Sequence, residues 1–174
     1  MVFFYRFQNV PDAAIIQIHG FRNNLGGYIV KEFSLISLDG CYEQFVMFEP
    51  PFGFKNLNAK ARRTALCLER EYHHIPYMYG TVSYAMLPTM FTLVQQTQLY
   101  SKGVETCKYL SSLSKKSVYN VEDLIDDCVS MKVLRKNNAL KHMCTYHTEK
   151  GGLVCARNDA YLLCNQIVTK MREN

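Results

Sequence analysis

Cys144-Thr145-Tyr146-His147 puts a thiol and an imidazole at a spacing with two residues between them, and Cys155 follows a short way on. Two thiolates and an imidazole are donors that zinc favours, and these three supply most of a closed tetrahedral site. The same residues admit a plainer reading. Cysteine is among the most buried residue types, so Cys155 could begin an apolar helix stripe with Cys144 packed beneath it.

Other residues could also do chemistry. His73 and His74, beside Tyr72 and Pro76, offer imidazoles for acid, base or phosphate-donor roles. No nucleophile is paired with them, and histidines at a helix end commonly cap it. Lys55, Lys60, Arg62, Arg63 and Arg70 crowd one segment, and Lys132, Arg135, Lys136 and Lys141 precede Cys144. With Tyr72, Tyr77 and Tyr79 nearby, Lys60, Arg62, Arg63 and Arg70 are candidates for binding single-stranded RNA or DNA by phosphate contact and base stacking. Glu69 and Glu71 dilute the first cluster, as on an ordinary solvated helix face.

These groups need elements to position them. Ala13–His19 is β-rich and stops at Gly20, Asn23–Gly27 has hairpin-turn chemistry, and Tyr28–Leu38 reads as a second strand ended by Asp39-Gly40. A third strand runs from Tyr42 to Phe48. After the N-cap candidate Asn58, residues Ala61, Ala65, Leu68 and Tyr72 recur at helical spacing. Residues 84–96 suggest a second helix around Pro88, Leu99-Tyr100 a short strand, Gly103–Leu113 a helix and Val118-Tyr119 another short strand. Ala156, Ala160, Leu163, Cys164, Ile167 and Met171 mark one stripe of a long last helix. Three antiparallel strands followed by alternating helices and strands imply a mixed sheet covered by helices.

Composition agrees with a single intracellular domain across residues 1–174. A 174-residue chain that is 48% hydrophobic can bury a sizeable core. Its longest apolar runs, Ala13–Ile16 and Ala85–Met90, fall far short of the roughly 18–20 residues that span a bilayer, so no membrane partner is expected. Met1–Tyr5 has no basic segment before it and reads as a strand or core plug, not a leader. Seven scattered cysteines fit reduced thiols in the cytoplasm or nucleus better than a disulfide framework. The net charge of +5 permits a polyanionic partner without requiring one.

The order of elements and some local sequence resemble the DnaQ-type DEDD exonucleases, a branch of the RNase H-like fold. Gln17-Ile18-His19-Gly20, Val30-Lys31-Glu32-Phe33-Ser34, Phe48-Glu49-Pro50-Pro51 and Tyr72-His73-His74-Ile75-Pro76 stand where that family has characteristic segments. The resemblance implies an α/β fold with three antiparallel strands, then parallel ones. It also implies lost chemistry, because two-metal catalysis needs carboxylates holding cations about 3.5–4 Å apart. Gln17 and His19 replace the acids of the first strand, Tyr100–Glu105 offers no Asp at the next position, and Asp159 alone matches the family's last Asp. The chain is also similar to the Maelstrom domain, a relative of that fold with a Glu-Cys-His-Cys zinc site. That likeness implies Glu32, Cys144, His147 and Cys155 as zinc ligands, with His142 the alternative to Glu32. The expectation is a stand-alone relative of viral or mobile-element origin: a degenerate exonuclease-like domain with structural zinc that binds single-stranded nucleic acid or a protein. A ribonuclease working without the DEDD acids, and a pure protein-interaction module, are the alternatives.

Overall fold

A computed structural model describes residues 12–138, 142–150 and 153–173. Three strands open the fold: β1 (Ala13–Arg22), β2 (Tyr28–Ser37) and β3 (Glu43–Met47). They pair antiparallel, and β4 (Gln98–Ser101) and β5 (Val118–Asn120) extend the sheet parallel to β1 in the order β3-β2-β1-β4-β5. The helices are α1 (Ala59–Glu71), α2 (Leu87–Thr92), α3 (Val104–Ser114), α4 (Met131–Asn137), α5 (Thr145–Lys150) and α6 (Ala156–Glu173).

Side chains alternate across a strand, so β1 serves two cores. Ala14, Ile16 and Ile18 pack with α2 and α3 through Leu87, Phe91, Cys107 and Leu110. Ala13 and Ile15 face the opposite way, onto Leu163, Cys164 and Ile167 of α6. Each fully buried Ile or Leu contributes about 1.5–3 kcal/mol relative to exposure, which pins β1 between two helical layers. The same face continues through Gln17 and His19 to Phe21, where α1 covers the sheet with Ala61 and Ala65.

Register sets the neighbours on that face. Gln17 lies opposite Ser34 and His19 opposite Glu32; pairing then slips, so that Gly20 faces Val30 and Lys31 is the extra residue. A Cβ at Gly20 would collide with the Ile29 carbonyl, so only glycine lets the strands close here. Lys31 is buried and donates to the carbonyls of Phe48 and Tyr79.

The strands and long helices lie where periodicity places them. Asn58 caps α1, its side chain accepting from Ala61 N at 2.8 Å. Expected helix 84–96 is shorter: a 3-10 turn at Tyr84–Met86 leads into α2, with Pro88 in its first turn. Tyr72, assigned to the apolar stripe of α1, is instead its C-cap and 40% exposed. The expected element at Met1–Tyr5 lies outside the described residues.

Candidate functional site

Glu32 sits in mid-β2, fully buried, where a carboxylate needs strong partners. Cys144 precedes α5, His147 lies one turn into it, and Cys155 directly precedes α6. The fold brings all four together, with one donor atom from each lying within 4.8 Å of the others. His147 Nδ1 is 3.1 Å from Cys144 Sγ and 3.3 Å from Glu32 Oε1, and that sulfur and that oxygen are 3.9 Å apart. A tetrahedron with zinc bonds of roughly 2.0–2.3 Å has edges close to these separations.

The surroundings orient each donor. His147 donates through Nε2 to the His73 carbonyl at 2.7 Å, which turns Nδ1 toward the cluster. Glu32 Oε2 accepts from Ala156 N at 3.1 Å at the start of α6, freeing Oε1. Cys144 N donates to Cys155 Sγ at 3.4 Å. Burial opposes charge on His147, yet hydrogen bonding to Cys155 and Glu32 raises its pKa to about 10. Hydrogen bonding with Cys155 holds the Cys144 thiol below its ordinary value, against burial. An electronegative pocket of this kind could hold a divalent cation, and two sulfurs, one imidazole and one carboxylate suit zinc. His142 lies apart from the cluster, stacked on Tyr161 with ring centroids 3.8 Å apart.

The histidine pair after α1 has a role its sequence did not disclose. His73 is buried, its Nδ1 accepting from Ile75 N at 3.2 Å, and burial lowers its pKa to about 3. His74 adopts φ 55°, and its carbonyl accepts from Tyr146 at 3.0 Å. The two residues thus hold α5 through backbone carbonyls, one of them locking a cluster histidine.

A second constellation borders the first on the same sheet face. Gln17 Nε2 donates to Ser101 Oγ, at the end of β4, at 3.2 Å. His19 Nε2 meets Asp159 Oδ2 at 2.8 Å, and Arg135 grips the same carboxylate through both Nε, 2.8 Å from Oδ1, and Nη2. Burial alone would raise the pKa of Asp159, but Arg135 and His19 hold it below the usual carboxylate range. Tyr72 caps the group, its ring 5.8 Å from that of His19 and 5.7 Å from the Arg135 guanidinium. Arg135 therefore does not belong to a solvated basic run with Lys132 and Lys136. Lys141 lies outside the described residues.

On α1, Lys60, Arg63 and Arg70 are exposed and Arg62 is half-buried; among the described residues none forms an ion pair. Tyr77, proposed above as a stacking platform, is only 2% exposed and packs on Phe21 and Phe54, so it cannot receive a base. Tyr79 packs against Tyr146 with the two rings tilted. Tyr72, 40% exposed at the end of the basic helix, packs on His19 and Arg135 and is partly open to solvent.

No family model and no curated protein sequence matches this chain. Its structure is similar to a Mopeia virus exonuclease domain solved partially complexed with manganese, with a TM-score of 0.62 and 15% identity over 95% of this chain and 81% of that one. The strand order and helical layers are thus those of an exonuclease-like, RNase H-like α/β fold. Among the described residues no helix is long and apolar enough to cross a membrane.

Proposed function

We propose that this chain is an exonuclease-like domain without two-metal catalysis, stiffened by structural zinc, that acts inside the cell by holding single-stranded RNA or DNA. The observation that carries this reading is the network around Asp159. Both oxygens of this carboxylate are engaged by Arg135 and His19, while Gln17 and Ser101 hydrogen-bond to each other. A buried guanidinium supplies the positive charge that a metal ion would bring, and one carboxylate cannot bridge two cations. Glu32, Cys144, His147 and Cys155 hold the zinc, a donor set like that of the Maelstrom domain. Lys60, Arg62, Arg63 and Arg70 contact phosphates along a path leading to Tyr72, on which one base stacks.

A labelled single-stranded RNA or DNA incubated with the protein and magnesium or manganese should be bound and remain intact. Metal-dependent 3′–5′ shortening that disappears in Asp159→Ala would overturn the loss of two-metal catalysis. Cleavage that persists in EDTA and is lost in His19→Ala would instead assign acid–base ribonuclease chemistry to the His19–Asp159 pair. Failure to bind any single strand at low salt would leave a protein partner as the ligand.

A further inference from the structure

Cys128 is partly exposed, just ahead of α4, and Lys102 Nζ lies 2.9 Å from its sulfur. The Lys102 side chain is only 10% exposed and is also held by Glu122 Oε1 at 3.0 Å. Its backbone is fixed on both sides: Ser101 closes β4, and Gly103, at φ 95°, donates to Asn120 Oδ1 at 3.0 Å. Gln166 Oε1 lies 3.8 Å from the sulfur, and the partial exposure of Cys128 lets a small oxidant reach it. The other described cysteines differ. Burial raises Cys107 and Cys164 to about 11, Cys144 and Cys155 belong to the four-donor cluster, and Cys41 and Cys67 are exposed.

We propose that Lys102 and Cys128 form a reversible covalent cross-link when the protein meets hydrogen peroxide. Peroxide first transfers one oxygen to the Cys128 sulfur, giving a sulfenic acid and one water; sulfur is oxidised by two electrons and the peroxide O–O bond is reduced. Lys102 then releases a proton to solvent, and its neutral amine attacks the sulfur. An N–S bond forms, the S–O bond breaks, and hydroxide leaves as water with a second proton from nitrogen. The net change is the loss of two hydrogen atoms from the protein. Two equivalents of a thiol reductant cleave the N–S bond, restoring amine and thiol and becoming a disulfide themselves. A nitrogen already at near-attack distance makes this intramolecular condensation faster than capture by a dissolved nucleophile. The product ties the β4–α3 corner to the segment leading into α4, and removes one positive charge beside Ser101.

The test uses the full chain carrying Cys41→Ser and Cys67→Ser, treated with hydrogen peroxide in the presence or absence of dimedone, followed by peptide mapping. The expected result is a pair of peptides joined through Lys102 and Cys128, two hydrogens lighter than their sum. Trypsin should fail to cut at Lys102, and dithiothreitol should reverse the link. In Lys102→Arg, which keeps the charge, dimedone should label Cys128 at least tenfold more than in the parent. Equal dimedone labelling in parent and Lys102→Arg, or a Cys128 that stays a free thiol in peroxide, would overturn the proposal.

Discussion

Asp159 shows how one buried carboxylate reports on its neighbours. It is inaccessible to solvent, so its charge is sustained by Arg135 and His19. Removing the carboxylate charge strands a buried guanidinium, a loss that typically costs about 3–5 kcal/mol. Asp159→Asn should therefore melt well below the wild type at neutral pH. Because the folded-state pKa is depressed, this stability is fully present above the unfolded value of about 3.9 and is lost as pH falls through the lower folded value. The gap in melting temperature between wild type and Asp159→Asn should close below about pH 4. Adding Arg135→Met to Asp159→Asn should cost less than the two single losses summed. A gap unchanged in acid, or strictly additive losses, would show that the network is not what holds Asp159.

At the scale of elements, α1 presents its alanines to Phe21 and Ile29 and its basic residues outward. Each phosphate neutralised on a single strand releases counterions, giving a slope of log affinity against log salt of about −0.7 per contact. Reversing Arg62 and Arg63 together (Arg62→Glu with Arg63→Glu) should weaken binding and flatten that slope by about 1.4, two contacts at about 0.7 each. Fluorescence anisotropy across a salt series measures it; an unchanged slope would make α1 a solvated face. Helices α4 and α5, only seven and six residues long, lie below the length at which isolated helices are stable. Contacts such as Arg135–Asp159 and His147–His73 hold them, so periodicity did not reveal them.

Across the whole molecule, the four-donor cluster is the place where β2, α5 and α6 meet. A structural zinc bound there would contribute folding free energy; apparent binding in small zinc peptides is on the order of 10–16 kcal/mol. The purified protein should carry about one zinc per chain, and a strong chelator should lower its melting temperature sharply. Cys144→Ser and Cys155→Ser should each lose metal and melt early. A metal-free protein whose Cys144→Ser variant melts at the wild-type temperature would return these cysteines to the status of packed thiols.

Much of this could be read from the chain itself. Alternation in Ala13–His19, the turns at Gly26 and Gly40, the cap at Asn58 and the stripe from Ala156 to Met171 are local signals, set by backbone sterics and the side-chain period of each element. That β1 offers no carboxylate at Gln17 or His19 is legible from residue type alone. The spacing of Cys144, His147 and Cys155 suggested three donors, but whether they faced a carboxylate or an apolar layer depended on strand register. Only pairing His19 with Glu32, and packing the first turn of α6 over both, put Glu32 against the sulfurs and Asp159 against His19. The role of Arg135, the carbonyls of His73 and His74 and the approach of Lys102 to Cys128 likewise join residues far apart in sequence. Such contacts are fixed when the sheet and its two helical layers close, because direction and distance between elements are properties of packing and not of spacing along the chain.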